Sequence, residues 1–466
     1  MNGDSAEHNR ALDGAIVPTF IKYLLPSLIG LLAMTSGSLV DGIFIGNYVG
    51  VTALAAVNLI IPILTLSFGI CIMVGVGASV RGGKYLGERN IPAASAIFSK
   101  TLTFMVFYGF LAIAMALLFE RQLFAGLGAS ADLFPVMSEY YRIAAPFLLP
   151  QFITIALYFF VRLDESPNLA AAALGVGAAL NIALDYLFIA VYDWGLVGAA
   201  IATGLSQVAS MLVLLSYFLK PKRVLRFAWR QKDWMEVLRA AYNGLSEFIN
   251  EVSGGIIALI FNWMLIQRAG VEGVAAITVV NYMLMVGFMA FFAISDTIQV
   301  MVSQNFGARN PERIRAFLKT ALAAVGLVGA LCIAVLLSAS EPLIGLFIDH
   351  RVGQGSDTLQ LAMTFVGYVW PLFLFAGVNM LICGYLTAIH RPFQSGLISI
   401  SRSLILPAGL LTLSYGVLSD YRFIAALPVA EGLTFVLASF IYLRDTPLRA
   451  VRREEQKVAH SKAPIE

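Results

Sequence analysis

Long apolar stretches, separated by short polar segments, make up most of this chain. Each stretch has roughly 20 residues or more, the length that an α-helix needs to cross the hydrocarbon core of a bilayer. The pattern therefore predicts an all-α integral membrane protein with twelve transmembrane helices. The predicted spans are 17–42, 52–79, 97–119, 138–161, 168–191, 196–219, 239–266, 275–302, 317–338, 359–388, 393–415 and 423–443.

The turn residues between these stretches recur at a constant distance. The distance is 220 positions for Gly50 and Gly270, Val51 and Val271, Gly87 and Gly307, and Asn90 and Asn310. It is 225 positions for Pro146 and Pro371 and for Pro167 and Pro392, so we place about five inserted residues around His350–Ser356. Duplicated membrane bundles bind substrates where the repeats face each other. The repeat therefore favours a transporter, with a purely structural repeat as the alternative.

The distribution of Lys and Arg predicts that both termini lie in the cytoplasm, because cytoplasmic loops carry the excess of basic residues. In that orientation 24 of the 31 basic residues fall on the inner side. The repeat and the charges together predict an N-lobe at 1–219, a basic linker at 220–238, a C-lobe at 239–443 and a tail at 444–466. The first span shows no clear cleavage site, so we expect it to be retained in a plasma (inner) membrane protein.

Composition excludes most other classes of protein. With 59% apolar residues, 13% charged residues and a mean hydropathy of +0.82, the chain lies far outside the range of soluble domains. It has no phosphate-binding Gly-rich loop and no Cys/His metal spacing, and Cys71, Cys332 and Cys383 fall within apolar spans. We expect no enzyme activity, no metal, no cofactor and no nucleic-acid partner.

Two acids within spans of the first half are the strongest functional candidates. A charge at membrane depth costs about 2.5 kcal/mol or more, so such groups face a cavity, a partner or an ion path. Asp41 lies in span 1, and Asn181 and Asp185 lie four residues apart on one face of span 5. No Lys or Arg of the first half lies at a comparable depth, so these acids are expected to take up a proton or share a cation. The second half has apolar residues at the equivalent positions: Phe261, Leu406 and Leu410.

The second half carries a different set of ionisable residues within its spans: Glu247, Glu251, Asp296, Arg402 and Glu431. Glu247 and Glu251 lie one turn apart near the start of span 7. Arg402 can neutralise either Glu431 or Glu247 in a buried pair that only holds helices together. These residues are therefore either structural or part of a second ion site, and the sequence leaves both open.

Together these residues resemble the multidrug and toxic compound extrusion (MATE) transporters over nearly the whole chain. The resemblance rests on Asp41 before Phe44-Ile45-Gly46, Asn181 with Asp185, the segments 195–203 and Gln304-Asn305-Phe306-Gly307-Ala308, Arg402 with Pro407, and Glu431 shortly after Pro428. It implies two six-helix lobes around a central cleft. It also implies extrusion of organic cations, driven by inward movement of H⁺ or Na⁺.

The resemblance further implies a coupling site in the N-lobe. Its members here are Asp41, Asn181, Asp185, Thr203 and a tyrosine at the start of span 4, for which we choose Tyr140, with Tyr141 next. Relatives that bind Na⁺ in the C-lobe often have an acid in the middle of span 7, whereas Glu247 and Glu251 lie near its start. We therefore expect H⁺ coupling through the N-lobe, with a Na⁺-coupled antiporter as the alternative, because these side chains could supply about five or six oxygens with backbone help.

Span 8 supplies candidates for binding a substrate. Methionine and aromatic side chains suit varied flat cations, and the candidates are Met283, Phe288, Met289 and Phe292, although such a stripe can also be core or lipid-facing. The expected partners are small-molecule drugs, organic cations and the lipid bilayer, and the expected state is a monomer. A flippase for lipid-linked oligosaccharide is a rival, but its cleft should carry several cations, and only Arg142 and Arg402 lie mid-span. A channel or a membrane scaffold is a rival of another class.

Pro26 marks a point where span 1 can bend. Proline inside a helix removes one backbone hydrogen bond and favours a kink. Pro26 precedes Asp41 by fifteen residues, or about 22 Å at 1.5 Å per residue. The kink is either static or a means by which the state of Asp41 reaches the rest of the helix.

Overall fold

The structure is a computed structural model that describes residues 9–130, 132–345 and 354–462. These residues form helices and turns, with no strand among them. Ten of the described helices are long and apolar enough to cross a membrane, and Thr358–Val369 with Leu372–Ala388 forms a further crossing bent by 52°. The prediction of an all-helical, multi-pass membrane protein is confirmed.

One helix, Leu245–Gly307, accounts for two of the predicted crossings. Its 63 residues would extend about 95 Å at 1.5 Å per residue, some three times the hydrocarbon thickness of a bilayer. The backbone leaves the helical conformation at Gly270, with φ 60° and ψ −155°. When the helix is divided there, eleven of the predicted spans each lie on a helix of their own or on the bent pair. The predicted span 239–266 is the exception, because its first residues lie on a separate helix, Met235–Asn243.

The crossings are numbered in chain order as spans 1–12. They are Ile16–Val49, Thr52–Gly87, Ile91–Leu118, Phe134–Leu163, Pro167–Val191, Gly195–Leu219, the two parts of Leu245–Gly307, Pro311–Ser338, the bent pair Thr358–Val369 and Leu372–Ala388, Pro392–Val417 and Tyr421–Arg444. Shorter elements are Arg10–Asp13, Glu120–Gly126 and Ser340–Ile344, the linker helix Met235–Asn243 and the C-terminal helix Pro447–Lys462. Three segments within spans are π-helical: Ile45–Val49, Tyr186–Val191 and Ser401–Ile405.

The backbone repeats in the way that the sequence predicts. Positive φ is uncommon outside glycine, because it brings Cβ close to the backbone. Three pairs of residues with positive φ lie at the predicted distances: Gly50 and Gly270, Arg89 and Arg309, and Glu165 and His390. Asn90 and Asn310 each cap the helix that follows with a side-chain oxygen. The two halves therefore share turn conformations as well as sequence, and the insertion predicted around His350–Ser356 falls mostly outside the described residues.

The chain separates into two compact units. The first comprises Met1–Gly14 and Ile21–Gly244, and the second comprises Ala15–Phe20 and Leu245–Glu466. The linker helix Met235–Asn243 belongs to the first unit, where it packs backbone to backbone on span 2. A Cβ atom at Gly77 would lie 1.8 Å from the carbonyl oxygen of Ala240, so only glycine permits this approach. The last residues of the predicted linker are thus helical and held against span 2.

Candidate functional site

Spans 1 and 5 run side by side in a register that can be read from two glycines. A Cβ atom at Gly30 would lie 3.1 Å from Leu174 Cδ1, and one at Gly37 would lie 3.5 Å from Asn181 Oδ1. In both contacts the residue numbers differ by 144, so the two helices rise in the same direction and in step. Asp41 and Asp185 also differ by 144 and lie one helical turn further along. The register therefore places the two acids opposite each other.

The two carboxyl groups are enclosed but have few protein partners. Asp185 is fully buried and Asp41 is half-buried. Within the described residues, Asp41 Oδ1 and both carboxylate oxygens of Asp185 accept no hydrogen bond. The charge of Asp41 acts on the carboxyl group of Asp185. Because like charges in a low-dielectric site are costly to maintain together, this pair is suited to hold a proton or to share a cation.

Of the two adjacent tyrosines, Tyr140 is the one that faces the acids. It is buried, and the charges of both Asp41 and Asp185 act on its hydroxyl. The ring of Tyr141 instead packs edge-on against Phe124, with ring centroids 5.4 Å apart. A single step along a helix turns a side chain by about 100°, which is why only one of the pair reaches the site.

Span 6 completes the N-lobe group. Asn181 Nδ2 donates to Thr203 Oγ1 over 3.4 Å, which joins spans 5 and 6 one turn from Asp185. The structure therefore brings together all the residues predicted for the coupling site. Gly37 was not among the predicted residues, although its missing side chain allows span 1 to approach Asn181. Its position one turn before the acid Asp41 could have indicated this close approach from the sequence.

A widened backbone follows each of the two acids. The π-helical segment Ile45–Val49 begins four residues after Asp41, and Tyr186–Val191 begins directly after Asp185. Such segments are rare in proteins and occur frequently at functional sites. The sequence gives no reliable signal for them, because the local composition is that of an ordinary apolar helix.

In the C-lobe, Arg402 pairs with Glu431. Arg402 Nε donates to Glu431 Oε1 over 2.7 Å, and both side chains are largely buried. Asn379 Nδ2 donates to the other carboxylate oxygen over 2.6 Å and to the backbone carbonyl of Glu431 over 2.9 Å. Of the two acids considered as partners of Arg402, Glu431 is therefore the one in contact. Asn379, a polar residue inside predicted span 10, was missed by sequence reasoning.

Glu247 lies at the centre of the remaining C-lobe acids. Its side chain is buried, and Gln299 Nε2 donates to its Oε1 over 2.9 Å. The charges of Asp296, Glu251 and Arg402 all act on it. Unlike the N-lobe pair, this group includes a cation, Arg402, and an amide that donates directly to a carboxylate, so the charge can be satisfied without a bound ion. In the described part of the chain, no three His, Cys, Asp or Glu side chains are arranged to hold a metal ion.

The span 8 candidates for substrate binding divide by their contacts. Phe288 packs against Phe373, with ring centroids 5.8 Å apart, and the guanidinium carbon of Arg402 lies 5.9 Å from its ring. Met283, Met289 and Phe292 are half-buried. Phe288 therefore lies beside Arg402, one of the ionisable residues of the C-lobe.

Known proteins resemble this chain in both sequence and fold. The profile of the MatE family matches residues 26–187 and 250–410. "Multidrug export protein MepA" of Staphylococcus aureus (strain MSSA476) is 23% identical over 378 residues, which are 80% of this chain and 82% of that protein. "Probable multidrug resistance protein YoeA" of Bacillus subtilis (strain 168) is 25% identical over 374 residues, 77% of this chain and 78% of that protein.

Solved structures share the fold over nearly the whole chain. A MATE protein in complex with MaL6 superposes with a TM-score of 0.89 at 21% identity, covering 96% of this chain and 100% of the other. A MOP superfamily transporter from Pyrococcus furiosus superposes with a TM-score of 0.87 at 21% identity, covering 97% and 100%. At this level of identity the structures establish the two-lobe fold.

Proposed function

This chain belongs to the MatE family, and on that premise we propose that it is a secondary active multidrug transporter. It exports organic compounds, mostly cationic and amphiphilic, by antiport with H⁺. The export of several drugs is suggested by the names of its relatives in Staphylococcus aureus and Bacillus subtilis. The coupling ion is assigned from this chain's own residues.

One observation carries the choice of ion. Asp41 and Asp185 lie opposite each other, away from any arginine or lysine partner among the described residues, and three of their four carboxylate oxygens accept no hydrogen bond. A proton can neutralise such a pair without further ligands, whereas Na⁺ needs about five or six oxygens. The C-lobe acids are already satisfied in part by Arg402, Asn379 and Gln299. These contacts support proton coupling through the N-lobe.

The mid-span arginines support drug export over the flippase alternative. A lipid pyrophosphate requires cations that are free to bind it. Arg402 is paired with Glu431 at 2.7 Å, and Arg142 Nε is paired with Glu120 Oε2 at 2.8 Å. Arg402 is largely buried in its pair, whereas the Arg142 side chain is 67% exposed. A single exposed arginine is fewer than the several free cations that a lipid pyrophosphate requires, so the chain is better suited to a cationic substrate than to an anionic one.

The coupling ion can be tested in proteoliposomes loaded with a fluorescent organic cation. If H⁺ is coupled, dissipating the pH gradient should stop drug movement, and replacing Na⁺ with K⁺ should leave it unchanged. Protein-free liposomes provide the control for leakage. Movement that survives loss of the pH gradient but stops on removal of Na⁺ would reverse the assignment and make Glu247, Glu251 and Asp296 the leading ion ligands.

Replacing Pro26 tests whether span 1 moves during transport. Pro26 lies inside the helix Ile16–Phe44, where its missing N–H leaves the Lys22 carbonyl without the usual helical donor. If a bend at this point communicates the state of Asp41, Pro26→Ala should lower the transport rate several-fold while drug affinity changes little. Transport assays and equilibrium drug binding on the same preparation measure the two effects. Equal losses in both would instead show a folding defect.

The arrangement in the cell follows from the basic residues. We infer that both termini face the cytoplasm in a plasma (inner) membrane, because the excess of Lys and Arg lies on that side. We also infer that the protein works as a monomer. The lobes are then a six-span N-lobe up to residue 219 and a six-span C-lobe over 239–443, joined by the basic linker 220–238.

A further inference from the structure

An open cavity of about 680 Å³ lies where the start of span 11, the end of span 12 and the C-terminal helix Pro447–Lys462 meet. We call it the arginine cavity, because its lining includes Arg444, Arg449 and Arg453. All three belong to the second compact unit. Its lining includes none of the acids described above, and the proposed drug and proton transport makes no use of it.

The arginine cavity carries excess positive charge. Its lining contains three arginines and one acid, Asp445. Asp445 is 4% exposed and is already matched twice: Arg453 Nη1 donates to its Oδ1, and Arg391 Nε lies 3.4 Å from the same oxygen. Arg444 and Arg449 form no ion pair with any described carboxylate. Both are therefore available to an anionic ligand.

Arg444 and Arg449 are each held in place by a contact that does not use all of the N–H donors of the guanidinium group. Arg449 Nη1 donates to the Leu443 carbonyl over 2.6 Å, close to the end of span 12. The guanidinium carbon of Arg444 lies 4.8 Å from the centre of the Phe440 ring. A guanidinium has five N–H donors in a planar fork that matches the oxygens of a phosphate. The arrangement is thus partly pre-organised for a phosphate group.

The rest of the cavity is apolar and open on one side. Phe393 is 68% exposed and Phe440 is 54% exposed, and Leu397 is exposed beside them. These residues lie at the first turns of span 11 and the last turns of span 12, so their exposed faces meet lipid rather than bulk water. A free inorganic anion would gain nothing from this surface, whereas the acyl chains of a lipid would bury it.

We propose that the arginine cavity binds one anionic phospholipid of the cytoplasmic leaflet. Its phosphate contacts Arg444 and Arg449, with Arg453 at the rim, and its acyl chains lie along Phe393 and Leu397. Basic pockets between membrane helices on the cytoplasmic side recognise anionic head groups by the same combination of charge and depth. The bound lipid bridges span 12 and the C-terminal helix, and so fastens that helix to the membrane surface.

The test uses the full chain, purified in detergent and depleted of lipid. Dioleoylphosphatidylglycerol, dioleoylphosphatidylcholine and inorganic phosphate are each titrated, and binding is followed by the unfolding temperature and by native mass spectrometry. The phosphatidylglycerol should raise the unfolding temperature and remain bound as one molecule per chain, and the other two should not. Arg444→Gln with Arg449→Gln should weaken phosphatidylglycerol binding at least about tenfold, because both charge-assisted contacts to the phosphate are lost.

A charge-matched control is available on the C-terminal helix Pro447–Lys462. Arg452 and Lys457 are exposed and do not line the cavity, so Arg452→Gln with Lys457→Gln removes equal charge without touching the site. This variant should bind phosphatidylglycerol as the wild type does. An equal loss in the control would reduce the effect to general surface charge and overturn the proposal. Equal binding by inorganic phosphate would overturn it in favour of a free anion.

A second variant covers the case in which the double arginine variant fails to fold. Gln394 lines the cavity, and Gln394→Glu leaves every arginine contact of Asp445 in place while adding a negative charge near the phosphate. Phosphatidylglycerol binding should fall several-fold, and phosphatidylcholine should still have no effect. Unchanged phosphatidylglycerol binding in this variant would also overturn the proposal.

Discussion

Asp41→Asn is expected to abolish drug efflux and leave the amount of folded protein unchanged. Asparagine has nearly the same shape as aspartate but can neither release a proton nor balance a cation at neutral pH. Because Asp41 and Asp185 lie opposite each other and the charge of Asp41 acts on Asp185, removal of either should disrupt the exchange of ion for drug. Efflux of a fluorescent cation from cells, normalised to protein in the membrane, should fall to the level of cells that lack the transporter.

The matched control lies on the segment that follows span 5, the helix that carries Asp185. Asp193 is exposed and has a positive φ of 54°, a conformation that asparagine also tolerates well. Asp193→Asn should therefore retain wild-type efflux. Wild-type drug resistance in cells that carry both Asp41→Asn and Asp185→Asn would contradict the assignment of the coupling site.

Glu236→Gln is expected to destabilise the protein by about 3–5 kcal/mol, the usual cost of leaving a buried charge without its partner. Glu236 lies on the linker helix, and its carboxylate accepts from Lys100 Nζ over 2.7 Å and from Arg81 Nε over 3.0 Å. The Lys100 side chain is only 4% exposed, so water cannot replace the lost charge. The unfolding temperature in detergent measures the effect, and activity need not be assayed.

A surface pair provides the control for this variant. Glu88 is partly exposed and lies 3.8 Å from Lys84 one helical turn away. Exposed pairs of this kind contribute about 0.3–0.5 kcal/mol, so Glu88→Gln should leave the unfolding temperature nearly unchanged. If Glu236→Gln lowered the unfolding temperature as little as Glu88→Gln does, the contacts of the linker helix would contribute little to stability.

The pKa of Glu236 predicts how the stability difference between the wild type and Glu236→Gln depends on pH. Burial alone would raise the pKa of Glu236, but hydrogen bonds from Lys100, Tyr85 and Arg81 outweigh it and lower the pKa below its ordinary value of 4.5. A carboxyl whose pKa is lowered by folding contributes stability above its unfolded pKa and loses it as the pH falls through the folded pKa. The loss of stability caused by Glu236→Gln should therefore be largest at pH 7 and become smaller in acid.

Much of the fold could be read from the sequence, because the bilayer imposes a simple rule. Every backbone group in lipid must be bonded within the chain, so long apolar stretches can only be helices. The repeat was equally legible, since turn residues such as Asn90 and Asn310 must keep their identity to cap the following helices. Gly50 and Gly270, which occupy equivalent positions in the two halves, each take a conformation that other residues rarely adopt.

The sequence by itself determined the helices, their duplication and the short set of buried ionisable residues. Only the tertiary structure decided which of these residues meet. Asp41 lies opposite Asp185 because spans 1 and 5 approach closely at Gly37, and Tyr140 rather than Tyr141 faces the two acids. Arg402 pairs with Glu431, and Arg444 and Arg449 line a cavity together with the exposed rings of Phe393 and Phe440. The physical reason is that local pattern sets the helix, whereas the partner of a buried charge depends on helix register and rotation, which long-range packing determines.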